Sequence, residues 1–498
     1  MLDVLASLWS GFGVALLPQN LLFCLIGVTV GTIVGILPGI GTTAAVAILL
    51  PLTFKLNATT AMIMLAGIYY GTKYGGSTTS ILVNTPGESS SVATCLDGYQ
   101  MALQGRAGAA LGISAIASFI AGTLGLVGLV LLGPGLTRVA LSFGPAEYFA
   151  LMIMGLATVA FLAGESMTKA LLMTAFGLLL STVGFDIFTG KLRFTYGNSE
   201  LMDGISFVTA ATGLFAVGEV LSNIGQDRTQ NAFSAPSRLR DLFPSWQDLR
   251  DCKGAFVRGT VVGFLIGILP GAGSSVSSFI SYALEKRFSR HPEKFGRGAI
   301  EGVAGPEGAN NADTAGAMVP MLSLGLPGSG GTAILLGALI LYGVKPGPML
   351  FQEHPDLVWG LIASMYVGNV MLLVLNLPLV PLFASLLRVP YKILYPLIIG
   401  FCVVGVYSIR QSQFDLWLLV AFGVLGFGLR RLDYPLAPVV LGLVLGPLIE
   451  RALRQAMVLS NGDWRIFVTR PIAASLMLVT LTLLVAPFLF RGRRAAAA

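Results

Sequence analysis

Apolar stretches long enough to cross a lipid bilayer recur along this chain and constrain its fold more than any other feature. The runs at 111–132 and 472–490 contain no charged residue, and a helix needs about 20 mostly apolar residues to span the hydrocarbon core. Charged residues make up 11% of the 498 residues, against about 25% in soluble domains. The sequence therefore predicts an all-α integral membrane protein with roughly ten to twelve transmembrane helices, besides re-entrant or broken ones.

Composition and missing motifs exclude several classes of function. The net charge of +7 reflects basic residues that cluster in short loops, as the positive-inside rule requires, so no nucleic-acid partner is predicted. Four scattered cysteines and two histidines predict neither a disulfide framework nor a metal site. The chain also lacks the P-loop, H-E-x-x-H and G-x-S-x-G motifs. We therefore predict that the protein is not an enzyme or an ATP-driven motor, which leaves an ion gradient as its source of energy.

An ordered series of matches indicates that the chain consists of two related halves. The pattern Gly-Ile-Leu-Pro-Gly-x-Gly occurs at residues 35–41 and again at residues 267–273. A pair of hydroxyl residues follows each copy, and Gly31 and Gly263 precede the copies at equal distance. Further matches keep the same order: Gly75-Gly76 with Gly316-Ala317, Thr85-Pro86-Gly87 with Leu326-Pro327-Gly328, and Gly105-Arg106-Ala107-Gly108 with Gly343-Val344-Lys345-Pro346-Gly347.

The most polar stretch of the chain separates the two halves. We expect an N-terminal half at 1–222, a cytoplasmic connector at 223–254 and a C-terminal half at 255–498. Basic residues flank the segment 259–284 on both sides, and about 26 residues cannot cross a bilayer twice. This segment is therefore predicted to be a re-entrant hairpin with Pro270-Gly271 at its tip. Its counterpart, the broken segment 21–54, is followed by Lys55 alone, as expected at the opposite face of the membrane, and this asymmetry favours inverted repeats, a common plan of secondary transporters.

Each half has a Pro-Gly break within an apolar segment, and such a break stops a helix. Unpaired backbone at membrane depth is tolerated only inside protein or beside water, and the N-terminus of the following half-helix attracts an anion such as a carboxylate. The alternative is a kink for close helix packing, but a matched pair of breaks favours a binding site. The predicted substrate-binding residues are Pro38, Gly39, Thr42, Thr43, Asn84, Thr85, Pro86, Gly87, Pro270, Gly271, Ser274, Ser275, Pro327 and Gly328.

Amide and carboxylate side chains near the second broken region of each half are candidates for coupling transport to a cation. Oxygen ligands of this kind suit Na⁺, and an acidic residue inside a membrane is costly unless it is functional or paired. The candidates are Asn310, Asn311, Asp313 and Asp97. Either aspartate could instead lie in a loop at the level of the headgroups and form a cap or a salt bridge. No cofactor is predicted apart from a transported Na⁺ or H⁺.

Motifs spread over nearly the whole chain match one known family. They include residues 35–41 with Pro51, 70–76, 80–87, 97–99 with 105–108, 189–197, 306–312, 325–328, 433–438 and 446–450. On these residues the chain resembles the large membrane subunit of the tripartite tricarboxylate transporter family (TctA-like). Two departures stand out. Gly308 lies where an alanine is expected, and Asp313-Thr314 lies where small residues are usual, and either could tune the choice of substrate or cation.

The resemblance implies a cation-coupled symporter in a bacterial inner membrane that imports citrate or another tricarboxylate, a dicarboxylate or an aromatic acid. Its partners would be a small four-helix membrane subunit and a periplasmic solute-binding protein that delivers the acid. Two other classes remain as alternatives. One is a stand-alone ion channel or permease for small anions, and the other is a membrane enzyme acting on lipid-linked substrates, which the missing His and Cys constellations disfavour.

Overall fold

The computed structural model describes residues 2–37, 40–162, 166–186, 188–224, 242–380, 382 and 391–495. Helices form nearly all of its regular structure, because a chain in a bilayer must satisfy its backbone N–H and C=O groups internally. The helices of the first half are α1 (Leu2–Ala15), α2 (Pro18–Ile36), α3 (Gly41–Leu49), α4 (Ala58–Val83), α5 (Val92–Leu103), α6 (Ala107–Ala140), α7 (Pro145–Leu162), α8 (Met167–Ser181) and α9 (Phe207–Asn223), the last with a π-helical turn at Thr212–Val217.

Helices continue after the connector, and a small β-hairpin precedes α9. Its strands, β1 (Gly184–Phe185) and β2 (Leu192–Arg193), pair antiparallel. The later helices are α10 (Trp246–Asp251), α11 (Lys253–Gly267), α12 (Gly273–Phe288), α13 (Glu301–Leu324), α14 (Gly330–Leu341), α15 (Leu350–Glu353), α16 (Pro355–Asn376), α17 (Tyr391–Arg410), α18 (Gln413–Arg431), α19 (Ala437–Leu459), α20 (Ile466–Thr469) and α21 (Pro471–Ala495). Short 3-10 turns lie at Leu50–Thr53, Ser89–Ser91, Ser199–Leu201 and Pro292–Lys294.

Four of the described helices, α2, α6, α16 and α18, are long and apolar enough to cross a membrane individually. Eight shorter apolar helices accompany them, among them α7, α8 and α14. These helices confirm the predicted all-α, multi-pass membrane character. The predicted count of roughly ten to twelve crossings exceeds the four, because helices broken by proline and glycine are individually too short, and it stays a prediction.

Two long helices, α4 and α13, are polar and form the interior of the molecule. α4 is buried from Thr60 to Leu82 without interruption, and α13 is buried from Gly302 to Ser323. Both carry hydroxyl and charged side chains, and α13 carries amides as well, and lipid would not accommodate such groups. The apolar helices around them shield these groups, so the polar chemistry of the chain is concentrated where α4 and α13 lie.

The same glycine contacts join α2 to α4 and α11 to α13. A Cβ atom at Gly35 would lie 2.4 Å from the carbonyl oxygen of Thr72, and one at Gly267 would lie 2.5 Å from that of Asp313. Only glycine permits backbones to approach so closely. The two halves predicted from the sequence thus share one helix-packing arrangement, whereas their relation by inversion stays a prediction.

The broken segments also pack alike in the two halves. A Cβ atom at Gly87 would meet the carbonyl oxygen of Gly35 at 2.1 Å, and one at Gly328 would meet that of Gly267 at 3.0 Å. Each half therefore places its two breaks against each other. In the second half, the N–H of Gly271, whose φ is +83°, donates to the Gly328 carbonyl at 3.0 Å.

Two short helices flank the break in the predicted re-entrant segment. α11 has 15 residues and α12 has 16, fewer than the roughly 20 that a full crossing needs. In the first half, α2 ends at Ile36 and α3 begins at Gly41. Pro38 and Gly39, which were predicted to form the break between them, lie outside the described residues.

The described end of the connector is fastened to α6. Arg106 donates to Asp248 of α10 at 2.6 Å, and the carbonyl oxygen of Leu242 packs directly against Gly112. Residues 225–241 of the predicted connector at 223–254 lie outside the described residues. These contacts hold α10 next to α6, and α11 begins directly after α10.

Candidate functional site

A cavity of about 650 Å³ lies where the broken segments of both halves meet. The volume is in the range of small-molecule binding sites. Backbone and hydroxyl groups from the breaks form much of its wall, and charged and aromatic side chains form the rest. Its lining includes Gly41, Thr42, Thr43, Tyr69, Lys73, Pro86, Gly87, Glu88, Ser89, Phe215, Glu219, Gly271, Gly273, Ser274, Ser275, Ser329, Gly330, Gly331, Arg430 and Tyr434.

Three of the helices that begin at this cavity follow a break that contains proline and glycine. The first residues of α3, α12 and α14, at Gly41, Gly273 and Gly330, all line it. A helix N-terminus carries unpaired N–H groups and about half a positive charge. Each start follows a break that contains proline and glycine, so the repeated sequence itself directs these helix ends to one place. Together they form a positive environment suited to an anion.

A buried lysine lies in the wall of the cavity. Lys73 of α4 is 3% exposed, and its Nζ donates to Glu88 Oε2 at 2.7 Å and to Ser274 Oγ at 2.6 Å. The Thr42 hydroxyl also donates to Glu88 Oε2, at 2.9 Å. Because Ser274 belongs to the second half, this ammonium group bridges the two halves at the site.

Lys73 and Glu88 were missed as site residues by reasoning from the sequence. Attention fell on the glycine and hydroxyl residues around them. One signal could have found Lys73, since it is the single charged residue between Leu56 and Gly87. A lone ionisable residue in a long uncharged membrane segment is a functional candidate by default.

A second ion pair lines the cavity from other helices. Arg430, in the last turn of α18, forms a salt bridge with Glu219 of α9. Its guanidinium also donates to the Phe215 carbonyl at 3.4 Å, while its buried Nε has no partner among the described residues. The cavity therefore contains two cationic side chains, each held by a carboxylate that also lines it.

The structure brings half of the predicted substrate-binding residues to the cavity. Thr42, Thr43, Pro86, Gly87, Gly271, Ser274 and Ser275 line it. Pro38 and Gly39 lie outside the described residues. Among the described residues, Asn84, Thr85, Pro270, Pro327 and Gly328 are not part of the lining.

The predicted residues outside the lining shape the breaks instead. Asn84 ends α4 in the left-handed conformation with φ of 54°, which asparagine tolerates better than most residues. Gly328 accepts the Gly271 N–H through its carbonyl, and the three residues after it, Ser329 to Gly331, line the cavity in its place. A break identifies the region of a site, but the neighbouring residues decide which groups face the cavity.

The cation candidates occupy different environments. Asp97 Oδ1 accepts the N–H groups of Gly296, Gly298 and Ala299 at 2.7–2.9 Å, which is the capping role left open as the alternative. Asn311 donates to Ser118 at 2.7 Å and so ties α13 to α6. Neither contact involves the cavity.

Asp313 and Asn310 differ from these two in their unmet polar atoms. Asp313 is 1% exposed, and neither of its carboxylate oxygens accepts a hydrogen bond from the described residues. Asn310 Oδ1 accepts from Ser90 at 2.6 Å, while its Nδ2 has no partner in the described part of the chain. Unmet polar atoms in a membrane interior are costly, so this pair is suited to an additional ligand or proton.

A further buried acid, Glu307, lies one helical turn from Asn310 and Asn311. It accepts hydrogen bonds from Ser77 of α4, at 2.5 Å, and from Thr94 of α5. No cationic side chain within the described residues pairs with it. With Asp313 it gives α13 two buried carboxyl groups beside the single ammonium group of Lys73.

Comparison with known proteins places these features in a family context. The model of the tripartite tricarboxylate transporter TctA family matches residues 21–441. An Agrobacterium vitis protein described as an uncharacterized 52.8 kDa protein in the TAR-I ttuC' 3' region is 50% identical over 97% of this chain and 96% of its own length. Another from that organism, described as an uncharacterized protein in the TAR-II ttuC' 3' region, is 49% identical over 43% of this chain and 89% of its own length. No solved structure matches the chain.

Proposed function

The chain belongs to the tripartite tricarboxylate transporter TctA family, and we propose that it is the large membrane subunit of a cation-coupled importer of small carboxylates. The family is one of transporters rather than enzymes. One observation carries the proposal: a cavity formed by both halves combines a buried ammonium group, at Lys73, with three helix N-termini. This combination is specific for a compact anion.

A carboxylate in the cavity would be held by charge and by hydrogen bonds together. Charge-assisted hydrogen bonds are about twice as strong as neutral ones, and Lys73 supplies one such donor. The hydroxyl groups of Thr43 and Ser275, which line the cavity at the starts of α3 and α12, would donate to the same anion. Arg430 would bind a second acidic group of the substrate or a hydroxyl group next to it.

Asp313 and Asn310 are proposed to couple transport to a cation. Asp313 is buried without a hydrogen-bond donor in the described part of the chain. In a membrane interior such a carboxylate is stable only with a proton or a cation on it. The backbone of Asp313 packs against Gly267, just before the break. A proton or cation bound to Asp313 would therefore affect the position of the start of α12, where Ser274 contacts Lys73.

We propose that the halves are inverted repeats and that the protein works in a bacterial inner membrane. Movement of one half against the other would then expose the cavity to each side in turn. A small four-helix membrane subunit and a periplasmic solute-binding protein would complete the system, and the binding protein would select the acid. The tripartite nature of the family supports both partners.

Uptake into proteoliposomes tests this proposal. The chain would be reconstituted with the proposed small membrane subunit, and the proposed binding protein would be added outside. Radiolabelled citrate, succinate and benzoate serve as tricarboxylate, dicarboxylate and aromatic probes, under separate Na⁺ and pH gradients. We expect accumulation of at least one acid that requires the binding protein and one gradient. Passive anion conductance without either would instead identify a channel.

A further inference from the structure

We propose that Glu88 is a resident counter-ion of Lys73, which an incoming substrate carboxylate displaces when it binds. This inference rests on the proposed function, since it describes how the same cavity receives its acid. In the structure Glu88 Oε2 lies 2.7 Å from the Lys73 ammonium. A substrate carboxylate would take this position, so the lysine would be neutralised in both states.

The first argument is that the ion pair is reachable. Lys73 and Glu88 are 3% and 5% exposed, yet both line the 650 Å³ cavity. An isolated ammonium group in a membrane interior is costly, so the lysine needs an anion when no substrate is bound. The cavity has room for a small acid and for the displaced side chain of Glu88.

The second argument is that Glu88 is incompletely bound. All of its side-chain hydrogen bonds from Lys73 and Thr42 converge on Oε2, whereas Oε1 is buried without a partner among the described residues. A carboxylate that serves only to hold a helix would gain from pairing both oxygens. Because Oε1 is unpaired, Glu88 is held less firmly than a carboxylate with both oxygens paired. This difference favours the release of Glu88 from Lys73.

Other ion pairs of the protein provide the contrast. Glu285 of α12 is also buried, but both of its oxygens accept from Arg258, Oε1 from Nε at 2.9 Å and Oε2 from Nη2. Glu450 likewise pairs both oxygens with Arg193, at 2.9 and 3.0 Å. Neither acid lines the cavity. The bidentate pairs have the geometry of fixed structural contacts, and Glu88 does not.

The third argument concerns the site that the exchange would leave. Lys73 keeps its hydrogen bond to Ser274, and the Thr42 hydroxyl that now donates to Glu88 becomes available to the substrate. An incoming carboxylate would thus accept hydrogen bonds from the same two donors that now hold Glu88. The exchange gives the cavity specificity, since an uncharged analogue cannot replace Glu88 at the lysine.

The test compares Glu88→Gln with wild-type protein by thermal unfolding in detergent at increasing concentrations of citrate, succinate and benzoate. Binding to the folded state raises the unfolding temperature, and the concentration dependence reports affinity. The glutamine can still accept hydrogen bonds from Lys73 and Thr42 but no longer competes as an anion, and the unfolding temperature without acid reports what the loss of the charge costs the fold. We expect half-maximal stabilisation at about one tenth of the wild-type concentration, since one charged hydrogen bond is at stake.

Two control variants define the outcomes. Glu285→Gln should leave the acid dependence unchanged, and Lys73→Gln should raise the acid concentration needed for half-maximal stabilisation by about ten- to hundredfold. If Glu88→Gln requires the same or a higher concentration of acid than wild type, the exchange is contradicted, while uptake by the wild type would leave the proposed function standing. If none of the three acids stabilises the wild type although one is accumulated, Lys73 is not the anchor and the inference fails as well.

Discussion

At the residue scale, the most informative feature of this protein is a small set of charged side chains buried in its interior. Lys73 is balanced by Glu88 and linked to Ser274, and the loss of one partner from a buried pair typically costs about 3–5 kcal/mol. Reasoning from the sequence found Ser274 through the repeated Pro-Gly-x-Gly-hydroxyl pattern. It missed Lys73, because a single lysine belongs to no repeat and its partners come from distant parts of the chain.

Substitution of the lysine should remove the carboxylate anchor. For Lys73→Gln we expect the half-saturating substrate concentration for uptake to rise by about ten- to hundredfold, which corresponds to about 1.5–3 kcal/mol for a charged hydrogen bond. Concentration-dependent uptake in proteoliposomes measures this change. Lys345→Gln is the matched control, because Lys345 is exposed and lies outside the cavity. An equal loss in both variants would contradict the role of Lys73.

Substitution of Asp313 should separate binding from coupling. Asparagine has nearly the same shape but cannot carry a proton or an ionic charge, so Asp313→Asn should bind acid with unchanged affinity. Gradient-driven accumulation should fall at least tenfold, while exchange of internal for external acid at equal gradients continues. Asp356→Asn, on the exposed start of α16, is the control. Full accumulation by Asp313→Asn would exclude this residue as the coupling group.

At the scale of elements, the two halves use one packing solution twice. Gly35 and Gly267 bring α2 onto α4 and α11 onto α13 at distances that no side chain would permit. The ordered glycine and proline matches made the two halves predictable from the sequence. The side chains that face the cavity were less predictable, because Asn84 and Pro270 mark the ends of helices while their neighbours line the wall.

Valine at either glycine should therefore prevent correct packing. In Gly35→Val and Gly267→Val a branched side chain would collide with backbone at 2.4–2.5 Å, a contact that cannot relax without separating the helices. We expect both variants to show strongly reduced yield of folded, monodisperse protein in size-exclusion chromatography. Gly135→Val in α6 is the control, because a Cβ atom there meets no described atom within 4 Å. A normal yield for Gly35→Val or Gly267→Val would count against this packing.

At the scale of the whole molecule, apolar helices enclose two polar ones, and a cavity of about 650 Å³ lies between the repeated breaks. The composition predicted the membrane character, and the repeat predicted the region in which the cavity lies. The number of crossings stays a prediction, because helices interrupted by proline and glycine fall below the length of a full span. The sequence did not predict that Arg430, Glu219 and Lys73 line one cavity, because they lie far apart along the chain.

The most direct test of this account is an electron cryo-microscopy structure of the protein reconstituted with the acid that it accumulates. We predict density for the acid in the cavity, with a carboxylate within hydrogen-bonding distance of Lys73 Nζ and near the first residues of α3, α12 and α14. Density for the acid elsewhere in the protein, with Lys73 still paired to Glu88, would contradict the account.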